Sequence, residues 1–402
     1  MNWIRIMLVG AICLLGQFAG CREKSNSEQQ NPETNLTSST EIIPAAYRLD
    51  EYLTVLDGKK IGMIVNHTSM VGSTHIVDTL LSHGIQVTRI FSPEHGFRGD
   101  ADAGAHIDDQ VDQKTGLPIV SLYGDNKKPA ANQIEDLDYL IFDIQDVGVR
   151  FYTYISTMHY AMEACAENNK SMIVLDRPNP NGHYYDGPIL QDSFKSFVGL
   201  HPIPVVHGLT VGELANMINE EGWLAGGKKC DLQVIEVENY DHSKSYELPV
   251  KPSPNLPNMQ SIYLYPSTCL FEGTKISLGR GTFFPFQVAG YPDTVFGDFV
   301  FVPESIQGMS TRPPYQDQKC YGVDLREVDL RSFSLEYIID FYQKAPFKDE
   351  YFNNYFNKLA GNSRLMEKIQ AGWTEAEIRE LWKEDLADYG KLREKYLLYP
   401  DA

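Results

Sequence analysis

The sequence predicts an α/β fold, a Rossmann-like domain with a doubly wound parallel sheet followed by a second, smaller α+β C-terminal domain. Between residues 44 and 240, short and nearly continuous apolar segments alternate with amphipathic segments of helical period. This alternation is typical of parallel strands that are covered by helices on both faces. After residue 241 the alternation stops and prolines and glycines become dense. We therefore place the domains at 44–240 and 241–402.

Each predicted element of the first domain has a distinct pattern. Apolar segments predict strands at Lys60–Val65, Ile85–Phe91, Leu117–Leu122, Leu137–Ile144, Ser171–Leu175 and Leu232–Val237. Amphipathic segments predict helices at His75–His83 and Tyr154–Asn168. A third helix begins at the capping box Thr210-x-x-Glu213 and runs to Trp223.

The second domain has fewer regular segments. The prolines and glycines between Pro252 and Thr282 argue against a long helix and predict ordered loops. A strand is expected at Val323–Val328 and a helix at Ser334–Gln343. A longer helix at Thr374–Leu398 begins with the capping box Thr374-x-x-Glu377, and its apolar stripe predicts core packing.

The first 43 residues predict export and a lipid anchor. Residues 1–20 read as a signal peptide, because the apolar run Ile6–Leu15 follows Arg5 and is too short to span a bilayer. The segment Phe18-Ala19-Gly20-Cys21 resembles a bacterial lipobox, in which the cysteine is lipidated; the alternative is a plain signal peptide. Residues 21–43 are polar enough to form a disordered tether. We expect a protein of the bacterial cell envelope, periplasmic or at the cell surface, that contacts the membrane through its lipid alone.

Charge, cysteines and missing motifs exclude several classes of function. The net charge of −19 argues against nucleic acid, whose phosphates would be repelled. The cysteines after Cys21 are scattered, which argues against a zinc knuckle and favours buried free thiols, with one long-range disulfide as the alternative. Neither G-x-G-x-x-G opening a helix nor G-x-x-x-x-G-K-[ST] occurs, so no motif supports nucleotide binding. We also expect no other cofactor and no resident metal.

Polar side chains lie at or just after the carboxyl ends of several predicted strands. They are Asn66 and His67, Glu94 and His95, Asp143 with Gln145 and Asp146, then Arg150, Asp176 and Arg177. The carboxyl ends of parallel strands meet at one edge of a sheet, where ligands bind in open α/β folds. A shared crevice explains these residues better than a series of unrelated polar turns. Glu94 beside His95, bracketed by Pro93 and Gly96, is a plausible acid/base group.

A second candidate group lies in the glycine-rich part of the C-terminal domain. Glu272 and Arg280 are eight residues apart in a loop. They could form a purely structural ion pair. They could also contact a ligand, because arginine suits bidentate recognition of a carboxylate. The sequence leaves both interpretations open.

Five blocks of the sequence together resemble the exo-β-N-acetylmuramidase family, long known as a domain of unknown function. These blocks are Asn66–Ser69, Ser92–Gly99, Phe142–Tyr154, Asp176–Pro180 and Glu272–Thr274 with Gly279–Thr282. They occur in the family's order between about Lys60 and Tyr399. The resemblance implies a Rossmann-like domain whose cleft is completed by the C-terminal domain. It also implies release of N-acetylmuramic acid from the non-reducing end of peptidoglycan-derived saccharides, with Glu94 as the catalytic glutamate.

Glycoside cleavage needs an acid and a second group that meets the developing positive charge. For the second group we consider Asp143 and Asp146, or the substrate's own acetamido oxygen. The lactyl carboxylate of muramic acid requires a cation, for which Arg150, Arg177 and Arg280 are candidates, and Tyr152 and Tyr154 could stack on the sugar. The remaining candidate substrate-binding residues are Asn66, His67, His95, Arg98, Gln145, Asn179, Asn255 and Glu272.

Three other functions are consistent with some of these residues. A metal hydrolase could use His67, His95 and Asp143, although no H-x-x-x-H or H-x-x-E-H spacing places two ligands on one element. A Ser-His-Asp hydrolase would lack its G-x-S-x-G elbow. A lipoprotein that only binds cell-wall sugars would use the same cleft without turnover.

Overall fold

A seven-stranded sheet organises the larger domain in this computed structural model, which describes residues 41–93, 96–97, 110–124 and 126–401. Cys21, Glu94, His95 and Arg98 lie outside the described residues. The strands of all sheets in the described part of the chain are β1 Lys60–Val65, β2 Met70–Val71, β3 Thr74–His75, β4 Gln86–Ser92, β5 Gln110–Val111, β6 Pro118–Ser121, β7 Tyr139–Asp143, β8 Ser171–Leu175, β9 Asp231–Ile235, β10 Val288–Tyr291, β11 Phe299–Phe301 and β12 Cys320–Asp324.

The strand order of the large sheet is β5-β6-β4-β1-β7-β8-β9. All neighbours pair in parallel except β5, which pairs antiparallel to β6 at the edge. The central strand β1 is buried from Ile61 to Val65. Gly62 belongs in β1 because a Cβ there would lie 2.6 Å from Leu137 Cδ1. The predicted parallel α/β sheet is confirmed.

Helices cover this sheet and build much of the second domain. They are α1 Leu49–Leu56, α2 Ile76–Ser82, α3 Ala131–Ile134, α4 Tyr154–Asn168, α5 Val211–Glu220, α6 Met259–Thr268, α7 Glu336–Lys344, α8 Phe356–Ala360, α9 Arg364–Gln370, α10 Glu375–Arg379 and α11 Lys383–Arg393. The Thr210 hydroxyl accepts the Glu213 N–H and the Glu213 carboxylate accepts the Thr210 N–H, so α5 begins with the predicted capping box.

The smaller C-terminal domain contains an antiparallel sheet in the order β10-β12-β11. Its strand β12 lies before the predicted Val323–Val328 segment and overlaps it only at Val323 and Asp324. The helix predicted at Thr374–Leu398 begins with its capping box but is interrupted. Trp382 leaves helical geometry at φ −121° and is 4% exposed. The chain breaks the helix there, and α11 ends at Arg393.

Helix α6 was not predicted, because Pro266 lies inside it. Proline has no N–H, so it leaves the carbonyl of the residue four positions earlier without its helical donor. That residue is Ile262, and the Asn181 side chain donates Nδ2 to its oxygen at 3.3 Å. A side chain from the other domain therefore supplies a partner for the carbonyl that Pro266 leaves open.

The chain's C-terminal segment packs back on the first domain. Tyr399 donates its hydroxyl to Asp176 Oδ2 at 2.6 Å, and Leu398 N donates to Glu213 Oε1 at 2.9 Å. Burial raises the pKa of Asp176 to about 7. At the other end, Ile43 forms a β-bridge with Glu238. The two domains together form one compact unit that begins at Glu41, so this unit includes the last residues of the predicted tether.

The described residues also bear on the cysteines and on membrane segments. Cys165, Cys230, Cys269 and Cys320 are buried free thiols, as the sequence favoured. None of the helices in the described part of the chain has the length and apolar character that a bilayer crossing needs.

Candidate active site

A buried ion pair joins the carboxyl ends of β7 and β8. Asp143 Oδ1 accepts from Arg177 Nε at 2.5 Å and Oδ2 accepts from Nη2 at 2.9 Å. The side chains are 0% and 4% exposed. Burial lowers the pKa of Arg177, but the charge and hydrogen bonds of Asp143 outweigh burial and leave that pKa above its ordinary value. Both oxygens of Asp143 are therefore engaged by one bidentate partner.

The loop after β1 is tied to the same strand end. Ser69 donates its hydroxyl to the Asp143 carbonyl, and Thr68 Oγ1 accepts the Gln145 N–H at 3.0 Å. Asn66 is fully buried, and its Oδ1 accepts from Thr68 N at 2.9 Å and from Thr68 Oγ1 at 2.6 Å. These bonds place Asn66 beside the loop that carries Gln145 and Asp146.

His67 connects this edge of the sheet to the C-terminal domain. Its Nε2 lies 2.9 Å from the Lys251 carbonyl oxygen, and Tyr152 donates its hydroxyl to the Pro252 carbonyl at 2.8 Å. The 251–252 segment thus contacts the loops that follow β1 and β7. Ser253 and Asn255, which come next in the chain, line a cavity described below.

The side-chain amides of two predicted binding residues form hydrogen bonds within the protein. Gln145 donates Nε2 to the carbonyls of Asp146 and Pro178, each at 2.8 Å. Asn179 donates Nδ2 to Leu209 O and accepts the Asn181 N–H on Oδ1, both at 2.8 Å. The geometry gives these side chains a structural role in shaping the loops after β7 and β8.

Asp146 is less constrained than Asp143. Its Oδ2 accepts the Gly148 N–H at 2.6 Å, whereas Oδ1 is buried and makes no hydrogen bond within the described residues. His207 Nε2 lies 3.7 Å from Oδ2. Because His207 Nδ1 accepts the Leu209 N–H at 3.2 Å, the proton of the neutral ring belongs on Nε2, facing Asp146. Sequence reasoning missed His207, which has no motif partner nearby in the chain.

Arg150 is an internal residue. It is 0% exposed and donates to the carbonyls of Pro188 at 2.7 Å and of Ile203 and Leu359 at 2.8 Å. Burial without a carboxylate partner lowers the pKa of Arg150 to about 9. These three carbonyls belong to separate segments, so the structure gives Arg150 a role in holding loops together and not in meeting a ligand.

Aromatic and polar side chains from both domains line one partly enclosed cavity of about 150 Å³. Tyr152 and Tyr154 meet edge to face in its wall, with ring centroids 5.0 Å apart. Burial raises the pKa of Tyr265, another wall residue, well above its ordinary value, so its hydroxyl stays protonated. Asn255 donates Nδ2 to Met309 O at 2.9 Å, while its Oδ1 is buried without a hydrogen bond in the described structure.

Glu272 and Arg280 form the charged part of this cavity wall. Arg280 donates Nε at 2.7 Å and Nη2 at 2.5 Å to the same oxygen, Glu272 Oε1. Their side chains are 23% and 26% exposed. Burial lowers the pKa of Arg280, but Glu272 outweighs burial and raises it overall. The pair also borders a second, more open cavity of about 440 Å³.

The predicted residues thus separate into two groups. Asn66, His67, Asp143, Asp146 and Arg177 lie on the loops at the sheet edge. Tyr152, Tyr154, Asn255, Glu272 and Arg280 line the cavity. Contacts of the 251–255 segment connect the groups. No cluster of three or more His, Cys, Asp or Glu side chains suited to a metal ion occurs among the described residues.

Family models match almost the whole compact unit. The model described as the N-terminal part of exo-β-N-acetylmuramidase NamZ matches residues 61–260, and the model of the C-terminal part matches residues 263–399. The peptidoglycan β-N-acetylmuramidase NamZ of Bacillus subtilis (strain 168) is 40% identical over 377 residues, which cover 87% of this chain and 89% of that protein.

Two solved structures from Bacteroides fragilis NCTC 9343 are also similar, and both are DUF1343-family proteins. The first is 46% identical with a TM-score of 0.84 and covers 90% of this chain and 100% of that one. The second is 30% identical with a TM-score of 0.78 and covers 89% of this chain and 99% of that one.

The two aspartates at the β7 end should differ in their effect on stability. Asp143→Asn leaves the buried Arg177 without its counter-charge, so we expect a loss of about 3–5 kcal/mol in the free energy of unfolding. Asp146→Asn keeps an oxygen for the Gly148 N–H and should cost less than about 1 kcal/mol. Denaturant unfolding of both variants measures the difference. Adding Arg177→Met to Asp143→Asn should recover part of the loss, and equal stabilities of the two single variants would contradict the assignment.

Proposed function

This chain belongs to the exo-β-N-acetylmuramidase family, and from that membership we propose that it releases N-acetylmuramic acid from the non-reducing end of peptidoglycan fragments. The chain is a glycoside hydrolase of the exo-acting muramidase type. The observation that carries the proposal is the 40% identity to the Bacillus muramidase across 87% of the chain.

We assign the acid to Glu94. Hydrolysis requires protonation of the departing glycosidic oxygen. The Pro93-Glu94-His95-Gly96 segment resembles the family's catalytic motif. Strand β4 ends at Ser92, two residues before Glu94, and it is the neighbour of β1 in the sheet. Its carboxyl end therefore belongs to the edge that carries Asn66, Asp143 and Asp146, which supports the assignment.

We assign the second carboxylate to Asp146. Both oxygens of Asp143 are held by Arg177, whereas Asp146 Oδ1 makes no hydrogen bond in the described part of the chain. A carboxylate with an oxygen available suits the positive charge that develops at the anomeric carbon. Asp146 meets that charge directly, or it orients the substrate's acetamido group.

Arg280 is the arginine best placed for the lactyl carboxylate. Arg150 donates to three main-chain carbonyls and Arg177 is bound to Asp143. Arg280 borders the cavity, and its Nε and Nη2 share a single oxygen of Glu272. Its Nη1 makes no hydrogen bond within the described residues, so Nη1 can donate to a carboxylate while Nε and Nη2 stay bonded to Glu272. The tyrosines of the cavity wall supply apolar surface for the sugar ring.

Lipid anchoring through Cys21 completes the proposal. The sequence before the compact unit contains the lipobox-like Phe18-Ala19-Gly20-Cys21 segment, and the compact unit itself begins at Glu41. We propose that the enzyme is held at the bacterial cell envelope while its folded domains remain in the aqueous phase, where peptidoglycan fragments occur.

Glu94→Gln should abolish turnover and keep substrate binding. Glutamine preserves the shape and hydrogen-bonding capacity of the side chain but cannot give up a proton to the leaving oxygen. We expect kcat on the N-acetylmuramyl–N-acetylglucosamine disaccharide to fall by about 10³–10⁴-fold, with KM little changed. Release of free N-acetylmuramic acid, measured by chromatography, checks both the activity of the wild type and its loss. A variant within about tenfold of wild type would show that Glu94 is not the acid.

Arg280→Met should reduce selectivity for muramic acid. Without the guanidinium the lactyl carboxylate loses its charged partner, so kcat/KM on the muramyl disaccharide should fall by about 100-fold. Cleavage of a substrate ending in N-acetylglucosamine, slow in the wild type, should change little. Arg331→Met removes the same charge from an exposed arginine that lines neither cavity and serves as the control. An unchanged ratio of the two kcat/KM values would refute this role.

Cys21→Ala should release the protein from membranes without altering its specific activity. The lipid supplies location, and the residues assigned to catalysis all lie beyond Glu41. Fractionation of cells followed by immunoblotting locates the protein, and the soluble fraction is assayed with the disaccharide. Continued sedimentation of the variant with membranes would rule out the anchor.

A further inference from the structure

Phe283 has a side chain that the fold does not use for packing. It is 78% exposed, and the next most exposed large apolar residue in the described part of the chain is Val111 at 55%. A single exposed apolar residue is common on protein surfaces. Phe283 is informative because of the loop that carries it.

That loop, residues 278–287, is closed and internally braced. Phe286 N donates to Leu278 O at 2.8 Å, which closes the loop, and Thr282 N and Oγ1 both donate to Gly279 O, at 2.9 and 2.6 Å. Phe286 adopts a φ of +62°, which is unfavourable for a side chain of its size. A loop braced in this way holds its tip in a fixed position, so the ring of Phe283 is displayed without the flexibility of an open surface loop.

The neighbouring aromatic residues have partners within the protein. The Arg326 guanidinium lies 4.8 Å from the Phe284 ring centroid, and the Phe284 and Phe299 centroids are 6.5 Å apart. Phe286 is 2% exposed and lines the partly enclosed cavity. Of the three, Phe284 is half-buried and Phe286 is buried, whereas Phe283 presents most of its ring to solvent.

The loop also places Phe283 near the site. Arg280 precedes it by three residues, so their Cα atoms are at most about 11 Å apart. Gly281 packs so closely on Pro313 that a Cβ would lie 2.5 Å from Pro313 Cγ. The next residue, Pro314, lines the open cavity of about 440 Å³ that shares the Glu272–Arg280 pair with the partly enclosed one. The loop therefore forms part of the rim between the two cavities and solvent.

We propose that Phe283 is a stacking platform for the saccharide unit on the leaving-group side of the scissile bond. The inference rests on the proposed function. An exo-acting enzyme encloses one terminal sugar and must leave the rest of the glycan in the open. The C–H face of a pyranose can cover an exposed aromatic ring and remove apolar surface from water. A solvent-facing ring three residues from Arg280, which lines both cavities, suits a unit that has to depart in each catalytic cycle.

Phe283→Ala, Phe283→Tyr and wild type are compared on the muramyl disaccharide, with free N-acetylmuramic acid as a competitive inhibitor. For Phe283→Ala we expect KM to rise about tenfold, which corresponds to about 1.4 kcal/mol. Its Ki for free N-acetylmuramic acid should stay within twofold of wild type, because that inhibitor has no leaving-group saccharide. Phe283→Tyr keeps the ring and should retain the wild-type KM. Val295→Ala truncates another exposed apolar residue, 45% exposed and outside this loop, and should change neither constant.

Two results would overturn the inference while the proposed function stands. A Phe283→Ala variant whose KM is within twofold of wild type shows that no stacking occurs. A parallel rise in KM and in Ki shows that the ring acts on the muramic acid unit instead. A wild-type protein that releases no N-acetylmuramic acid from the disaccharide would overturn the proposed function itself, and this inference with it.

Discussion

The buried ion pair of Asp143 and Arg177 holds together the sheet edge on which the site is built. Arg177 reaches from the end of β8 to the end of β7 and also donates to Met70 O, at 3.4 Å, at the start of β2, which follows the loop after β1. Ser69 from that loop donates to the Asp143 carbonyl. Two charges taken out of water are tolerated only when each satisfies the other, so the three loops keep one arrangement. Gln145 and Asp146 follow Asp143 by two and three residues, so the contacts that fix Asp143 also fix their positions.

The sequence allowed prediction of those parts of the fold that depend on local pattern. Strands β1 and β8 and helix α4 have the predicted bounds, because apolar runs and helical periodicity reflect burial within one element. Helix α6 could not be predicted in this way. Pro266 argues against a helix unless another group donates to the carbonyl that the proline leaves without a donor. That group is the side chain of Asn181, about 80 residues earlier in the chain. The interruption at Trp382 likewise coincides with the burial of a large ring, and no helix-breaking residue marks this position in the sequence.

Prediction of the site was limited in the same way. Residue type and position correctly predicted that Asn66, Asp143 and Arg177 lie at strand ends, but they could not predict which group each side chain contacts. Three arginines were equivalent candidates for a carboxylate until the structure showed that Arg150 donates to three carbonyls and Arg177 to Asp143. The sequence could not distinguish Asp143 from Asp146 either, because the difference lies in their partners: Arg177 donates to both oxygens of Asp143, whereas Asp146 Oδ1 makes no hydrogen bond in the described part of the chain. His207, 3.7 Å from Asp146, is more than 60 residues away in sequence, and nothing local marks it.

The contacts of the C-terminal segment have a consequence for the order in which the protein can fold. Tyr399 reaches the Asp176 carboxylate, and the same hydroxyl accepts the Val237 N–H at 2.9 Å, so the last residues of the chain occupy the ends of strands formed by its middle. A ribosome that has made residues 44–240 has already made Thr210 and Gly212, which donate to the buried Asp176 carboxylate, but it has not yet made Tyr399, the remaining donor from the second domain. The Rossmann-like domain therefore reaches its final state only after residues 398–399 have been made, and a chain without them loses one donor to a carboxylate that is buried at the end of β8.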